Sequence, residues 1–410
     1  MATKEFFEVP RRYRTWSLAL MGVGIVSVII GYILYGTGEH STRFWATMLQ
    51  NSTYFLLVVN AAMFFICATT LAMGGWQMSF RRVSEAISVC VIPLGIITAL
   101  VLLAIVILDP HIYHWLDKEH VAHDKILQGK SGFLNAKFYL IWTILAIGLW
   151  IVLGRKMRQI SRELDNNPLP DKEAGRKYIF KNTVWASLFI VWFALTVMST
   201  VPWLWLMSID AHWYSTMYSW YTFASTFVAG IALIALFVIY LKNQGYLEYT
   251  NEEHLHDLGK FMFAFSIFWT YLWFSQYMLI WYANIPEETI YFRSRVTSSH
   301  YSGPYTGIFW FMFTINFLAP LLILMRRGSK RNYTTVTLMS IVILFGHWLD
   351  FYQMVFASLF PEHVELNLFD FGVGAGFVGL IIFSVGRALA KYPMIAKNHP
   401  FIKESIIHHT

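Results

Sequence analysis

The sequence predicts an all-α integral membrane protein with ten transmembrane helices. Three observations lead to this fold class. Hydrophobic residues make up 57% of the 410 residues and charged residues only 13%, whereas soluble domains carry roughly 25% charged residues. Ten apolar segments have about the length, some 20 residues, that a helix needs to cross a hydrocarbon core about 30 Å thick. The connecting loops alternate between a side rich in Lys and Arg and a side poor in them, as in multi-pass membrane proteins.

The ten apolar segments follow one another without an independent soluble domain, so residues 1–410 are predicted to form one membrane domain. The segments are 16–36, 52–75, 86–108, 138–153, 183–208, 218–241, 261–283, 306–325, 334–358 and 370–389. The first follows Lys4, Arg11, Arg12 and Arg14, and no small-residue cleavage site comes after it. It is therefore predicted to be a retained helix rather than a signal peptide.

The orientation follows from the basic residues of the loops, because cytoplasmic loops hold the excess of Lys and Arg. With both termini in the cytoplasm, 24 of the 31 Lys and Arg residues fall on the cytoplasmic side and 7 on the outer side. Contact with membrane lipids accounts for the formal charge of +7, so no nucleic-acid partner is predicted. Helices 2–5 and 6–9 run in the same direction in this topology, which would allow two four-helix units.

One pair of ionisable residues lies deep in a segment, the ninth. His347 and Asp350 are three residues apart, a spacing that places both side chains on one helical face. An imidazole beside a carboxylate can hold or pass a proton near neutral pH. Charged groups within a membrane are functional by default, so both residues are candidates for proton transfer or quinol contact. The alternative is a buried pair that only fixes helix packing.

A second polar cluster is predicted at the outer boundary of the membrane. Asp109 follows the third segment, and Asp210 and His212 follow the fifth. These three residues are candidates for the outer end of a proton path. The loop after Asp109 adds further residues of metal-binding type: His111, His114, His120, His123 and Asp124. Their spacings match no named metal motif, so no metal site is predicted, and a solvated or interface loop is the alternative.

The sequence has few residues that can hold a redox centre. Cys67 and Cys90 are the only cysteines, too few for a four-cysteine iron–sulfur cluster, and no C-x-x-C-H haem attachment motif is present. His347 is the only histidine at mid-membrane depth, so a haem b held by two histidines is not expected. No covalent cofactor is predicted, and any electron carrier has to belong to another chain.

Amide and aromatic side chains concentrate in the seventh segment and just after it. Gln276 and Asn284 have to find hydrogen-bond partners if they lie in hydrocarbon. They are candidates for quinone contact, and interhelical packing is the alternative. The neighbouring Trp and Tyr residues suit either the lining of a quinone pocket or an interfacial aromatic belt.

Two runs of sequence resemble a known family. The run 274–288, FSQYMLIWYANIPEE, resembles the NrfD-like quinone-binding subunit 2 of bacterial alternative complex III, the quinol:cytochrome c oxidoreductase. The run 205–216, WLMSIDAHWYST, resembles both this protein and the sister NrfD-like protein of the same complex. The length, the ten segments and the basic loop between helices 8 and 9 also fit quinone-binding subunit 2.

The resemblance implies a place in a respiratory complex of the bacterial inner membrane that oxidises quinol and reduces a cytochrome. It implies an NrfD-like fold, in which helices 2–5 and 6–9 form two four-helix bundles with helices 1 and 10 at their edges. The implied partners are a sister NrfD-like subunit with the quinol site, an iron–sulfur subunit and multi-haem cytochromes, which hold the haem and the clusters. The chain itself then provides scaffold, proton conduction or contact with menaquinone or another quinone. Gln276 and Glu287 lie in the family-like run.

Two other functions are consistent with the same residues. A purely structural subunit would use its aromatic helices to pack against a sister subunit. A stand-alone secondary transporter would also contain a deep charged pair, and Pro93, Pro202 and Pro320 interrupt three of the segments. The chain itself is therefore predicted to be a subunit without a redox centre, rather than an enzyme on its own.

Overall fold

The computed structural model describes residues 5–38, 41–297 and 303–409. Lys4, which belongs to the first basic group, lies outside these ranges. Within them every regular element is helical, and no strand occurs. The prediction of an all-α chain is confirmed.

Ten long helices make up most of the described chain, and we number them in chain order. They are α1 Arg11–Tyr35, α2 Ser41–Leu71, α3 Arg81–Leu108, α4 Ala136–Asn166, α5 Lys172–Trp205, α6 Met217–Asn243, α7 Glu252–Ala283, α8 Thr306–Leu324, α9 Tyr333–Leu359 and α10 Leu368–Leu389. Nine of them are long and apolar enough to cross a membrane. The exception is α7, whose 32 residues suffice in length. Its many Trp and Tyr residues and Gln276 lower its mean hydropathy.

Several helices extend well beyond the apolar segments that predicted them. Helix α2 begins at Ser41, eleven residues before the predicted start at 52, and α3 begins at Arg81 rather than at 86. The added turns carry polar residues, among them Arg43, Gln50, Arg81 and Glu85, and these side chains are buried in the protein. Hydropathy alone could not locate these ends, because the polar groups are paired inside the protein rather than exposed to lipid.

The helices contact one another in two rings of four. Helix α2 packs on α3, α3 on α4, α4 on α5, and α5 returns to α2. In the same way α6, α7, α8 and α9 each contact the next, and α9 returns to α6. The two rings meet where α2 packs against α6 and α9. Helix α10 lies against α2 and α3, and α1 packs mainly on α10.

Two of the helices widen by one π turn just before a proline. The π turn Thr196–Thr200 of α5 precedes Pro202, and the π turn Thr314–Leu318 of α8 precedes Pro320. Proline has no N–H, and its ring clashes with the carbonyl one turn earlier, so a locally wider turn keeps the helix continuous. The interruptions fall in the fourth helix of one ring and the third of the other. The inverted repeats of transporters carry such interruptions at corresponding positions of their two halves. The two interruptions here do not correspond in this way.

Helices α1 and α10 meet along a seam of small residues. A Cβ atom on Gly24 would lie 2.3 Å from the Cα of Gly376, so the two backbones touch there with no room for a side chain. Near the other end of the seam, the Tyr13 hydroxyl donates a hydrogen bond of 2.6 Å to the Ile382 carbonyl. Close backbone approach through small residues is the usual basis of helix association in lipid. Helix α1 therefore depends on this seam for its position.

Substitution of two glycines of α1 tests the seam. Gly24→Ala should destabilise the packing of α1 by about 1–3 kcal/mol, because the new methyl group forces the backbones apart. Gly22→Ala is the matched control, since nothing lies within 4 Å of a Cβ at Gly22 and alanine favours helix. Thermal unfolding of the protein in detergent should show a lower midpoint only for Gly24→Ala. Equal midpoints for the two variants would contradict the contact.

A buried ion pair joins α2 to α10 at their predicted outer ends. Arg43 Nη2 lies 2.6 Å from Asp370 Oδ2, and Arg43 Nη1 lies 3.0 Å from Asp370 Oδ1. Both side chains are buried, with exposures of 4% and 0%. Thr47 donates a further hydrogen bond of 2.8 Å to Asp370, and Glu365 lies 3.3 Å from Arg43 Nε. The negative charge of the carboxylate and the positive charge of the guanidinium thus balance each other inside the protein.

Candidate functional site

The two deep ionisable residues predicted from the sequence lie side by side in α9. Both are buried, His347 with 0% and Asp350 with 1% of its surface exposed. Asp350 lies nine residues before the end of α9 at Leu359, a rise of about 14 Å along the helix. By the predicted orientation it is in the outer half of the membrane, and His347 is about one turn deeper.

Asp350 accepts hydrogen bonds from side chains of two other helices. The hydroxyl of Tyr221, in α6, donates to Oδ1. The indole N–H of Trp269, in α7, donates to Oδ2 over 3.1 Å, and the Ser225 hydroxyl lies 3.2 Å from the same oxygen. None of these donors carries a charge. The carboxyl group is thus engaged as an acceptor by neutral groups of the described chain.

Ser225 connects the imidazole of His347 to this carboxyl group. Its Oγ lies 2.9 Å from His347 Nδ1, whereas Nδ1 itself lies 3.7 Å from Asp350 Oδ2, too far for a direct hydrogen bond. One arrangement satisfies all three groups: Nδ1–H donates to Ser225, and the Ser225 hydroxyl donates to Asp350. This chain of donors and acceptors can carry a proton between the two ionisable residues.

The other nitrogen of the imidazole, Nε2, takes no part in these contacts. His347 Nε2 is buried without a hydrogen-bond partner among the described residues. The ring of Trp269 meets the imidazole edge to face, with centroids 5.3 Å apart. One residue before His347, Gly346 leaves room for the side chain of Asn316 in α8. The Oδ1 atom of Asn316 would lie only 2.0 Å from a Cβ atom placed on Gly346. The hydrogen-bonded chain, as far as the described residues form it, therefore ends at His347 on its cytoplasmic side.

Toward the predicted outer side, Asp350 borders a small polar cavity. Its volume is about 20 Å³, which suits one water molecule. Polar side chains from four segments line it: Asp350, Tyr221, Gln276, Tyr291, Arg295 and Gln353. The amide nitrogens of Gln276 and Gln353 are buried and have no partner among the described residues. A cavity of this size is far below the 300 Å³ or more typical of sites for organic ligands.

Arg295 brings a buried positive charge to the same cavity. It is 2% exposed, and its guanidinium donates to the carbonyls of Tyr291 at 2.6 Å and Gln353 at 3.1 Å. It has no ion pair with any residue of the described ranges, and its Nε has no hydrogen-bond partner there. A carboxyl group and a guanidinium therefore face one water-sized space without touching each other. Water between them would complete their hydrogen bonds.

The predicted outer cluster does not join this site through hydrogen bonds between described residues. His212 Nε2 lies 2.5 Å from Asp124 Oδ2. This hydrogen bond is the main reason why the pKa of Asp124 is lowered. Asp109 ends α3 in a left-handed conformation, with φ of 44°. The side chains of Asp109 and Asp210 have no hydrogen bond or ion pair within the described part of the chain. The three candidates lie at the protein surface or half-buried beside it.

The remaining candidates differ in their surroundings. Gln276 is buried and lines the cavity beside Asp350. Asn284 is exposed and ends α7 with φ of 49°, a left-handed cap for which asparagine is suited. Glu287 is exposed in the first turn of the short helix Pro286–Arg293, where a carboxylate favours the helix dipole. Only Gln276 thus lies at the site.

Six residues of the site were not among the sequence candidates: Tyr221, Ser225, Trp269, Tyr291, Arg295 and Gln353. The sequence assigns Tyr221 and Trp269 either to the lining of a quinone pocket or to the aromatic belt and helix packing. Tyr221 and Ser225 are four residues apart, so they place two hydroxyl groups on one face of α6, and this was the available signal. Arg295 counted as an ordinary charge of an outer loop, and nothing in the sequence indicates that it is buried.

Comparison with known proteins adds no identification. No family model matches the chain, and no curated protein matches it. Within residues 5–38, 41–297 and 303–409, no three His, Cys, Asp or Glu side chains come together in a group that could hold a metal ion. The function has to be inferred from the geometry around Asp350.

Proposed function

We propose that this chain is a proton-conducting membrane subunit of a quinol-oxidising, cytochrome-reducing respiratory complex. The observation that carries the proposal is the buried Asp350, which shares a water-sized cavity with the buried Arg295. Ionisable groups at this depth are expensive to bury and mark proton relays in many membrane proteins. A site built only for packing would pair the two charges directly, as Arg43 and Asp370 do.

The contacts define a short path for a proton. His347, Ser225 and Asp350 form its inner part, since each lies within hydrogen-bonding distance of the next. Water in the cavity would take the proton from Asp350 Oδ1 or Oδ2, and Arg295 would favour this loss because a nearby cation stabilises the carboxylate that remains. Quinol oxidation releases two electrons and two protons. A protein that accepts such protons needs no redox centre of its own.

The arrangement of the helices supports the respiratory assignment. We infer that α7 is a tenth transmembrane helix beside the nine apolar ones. The rings α2–α5 and α6–α9 then correspond to the two four-helix bundles expected of an NrfD-like protein, with α1 and α10 at their edge. The run 274–288, which resembles quinone-binding subunit 2, supplies Gln276 to the cavity. Both termini are proposed to be cytoplasmic in a bacterial inner membrane.

The exposed face of α7 favours an additional scaffolding role. It carries large aromatic side chains, including Tyr271, Phe274, Trp281 and Tyr282. Such residues suit contact with the sister NrfD-like protein as well as with lipid. The proposed partners are that protein, which would hold the quinol site, an iron–sulfur subunit and multi-haem cytochromes, which would hold the clusters and the haem.

Isolation of the intact particle tests the proposal. The full chain, tagged and extracted gently from its native membrane, is expected to bring down haem-containing and iron–sulfur subunits. The particle should reduce cytochrome c when it is supplied with quinol. A colourless, isolated chain that transports a solute in liposomes would contradict the proposal and favour a secondary transporter.

A further inference from the structure

A large apolar groove opens between α1, α10 and the centre of the protein, away from Asp350. Its volume is about 1120 Å³, and most of its lining is apolar. Trp16 and Leu20 of α1 form one wall, and Tyr54 of α2, Leu233 of α6 and Trp348 of α9 lie on the opposite side. Gly374 and Ala375 of α10 also line the groove, and their small size leaves the space open.

Polar groups line this groove mainly at one end. Arg11 and Arg12, in the first turn of α1, lie there with Tyr240 and Gln244 at the end of α6. Both arginines are exposed, and neither has an ion pair within the described part of the chain. By the predicted orientation these four residues lie at the cytoplasmic surface. They offer guanidinium, hydroxyl and amide donors beside an apolar space.

The groove runs from the cytoplasmic surface past the middle of the membrane. Its lining along α1 extends from Arg11 to Leu20, a rise of about 14 Å. Half of a hydrocarbon core about 30 Å thick is about 15 Å. Because Phe371, in the first turn of α10 at the predicted outer side, also lines the groove, an acyl chain that begins at the arginines would have space along the whole inner leaflet and beyond it.

We propose that the groove binds one phospholipid with an anionic headgroup from the cytoplasmic leaflet. Arg11 and Arg12 bind the phosphate and the headgroup charge, because guanidinium groups form paired hydrogen bonds with phosphate oxygens. The acyl chains fill the apolar space between α1, α6, α9 and α10. The lipid thereby covers the side of α1 that the seam with α10 leaves open.

The charge at the groove distinguishes this occupant from others. A zwitterionic phospholipid or a neutral isoprenoid quinone would fill the apolar part equally well, but neither carries the net negative charge that the two arginines attract. The proposal stands independently of the role of Asp350.

Photo-crosslinking with labelled lipids tests the groove. The full chain, within its native particle, is reconstituted in phosphatidylcholine nanodiscs that contain a photoactivatable phosphatidylglycerol with the reactive group on an acyl chain. Crosslinks should map to peptides of α6, α9 and α10. Arg11→Gln together with Arg12→Gln should weaken the apparent affinity about 25-fold, since each arginine near the surface contributes about fivefold.

Two further variants separate the groove from general surface attraction. Arg14→Gln removes the same charge from the same helix turn, but Arg14 does not line the groove, so it should change the affinity less than twofold. Ala375→Phe keeps both arginines and should reduce the crosslinks to α10 peptides, because the ring narrows the apolar space beside that helix. The proposal is overturned if Arg14→Gln weakens binding as much as the double variant, if a phosphatidylcholine probe labels the groove equally, or if the purified particle carries a quinone there instead.

Discussion

Asp350→Asn is expected to lower quinol-dependent turnover of the particle at least tenfold while the complex still assembles. The amide has nearly the same shape as the carboxyl group, so the packing of α6, α7 and α9 should survive. It cannot accept and release a proton at this position, however, and general acid–base groups typically contribute 10²–10⁴-fold to a rate. Cytochrome c reduction and proton release to the outer side should fall together.

Neighbouring variants show whether the effect belongs to the proton path. Ser225→Ala breaks the link between His347 and Asp350 and should give a smaller loss of the same kind. Asp370→Asn is the matched control, because it removes another buried carboxylate that is paired with Arg43 rather than set at the cavity. It should lower the amount of folded particle but not the turnover of what remains. Wild-type turnover and proton release in Asp350→Asn would remove the proposal.

Breaking the Arg43–Asp370 pair is expected to have the largest effect on stability. Asp370→Asn leaves the buried guanidinium without its main partner, and the loss of one member of a buried pair costs about 3–5 kcal/mol. Arg43→Met should cost a similar amount, because it leaves the carboxylate of Asp370 buried and unpaired. The double variant should cost clearly less than the sum of the two, since neither charge is then left alone.

Thermal unfolding of the detergent-solubilised protein measures this non-additivity. The exposed pair of Lys397 and Glu5, at 2.6 Å, provides the control, because exposed ion pairs contribute little to stability. Glu5→Gln should leave the unfolding midpoint nearly unchanged. If the costs of Arg43→Met and Asp370→Asn simply add, the two residues do not stabilise the fold as a pair.

The sequence was sufficient to predict an all-α chain and to place His347 and Asp350 on one face of the same helix. A long apolar run in a membrane can adopt few structures, because its backbone N–H and C=O groups must form hydrogen bonds within their own helix. The spacing of His347 and Asp350 within such a run singled out the face of α9 on which both side chains lie. Both conclusions rest on properties that a single helix carries by itself.

The partners of Asp350 could not be predicted, because they depend on contacts between different helices. Tyr221 and Trp269 come from other helices, and in a sequence rich in aromatic residues neither stands apart from the many that face lipid. Arg295 follows a short helix in an outer connection, where a charged residue is ordinarily solvated. Arg43 likewise precedes the apolar part of α2, and its burial depends on Asp370, more than 300 residues later. Pairings between distant helices leave no mark on local hydropathy.

The seam between α1 and α10 also has a consequence for synthesis. The Tyr13 hydroxyl and the Ile382 carbonyl that it contacts are 369 residues apart. At the 5–20 residues per second of a translating ribosome, α1 waits about 20 to 70 s in the bilayer before its main partner exists. During that time its seam of small residues faces lipid, and the helix is held in place by its own apolarity. Insertion of α10 then covers the seam of α1. A nascent chain that stops before Leu368 therefore leaves α1 without its main packing partner and accessible to membrane proteases.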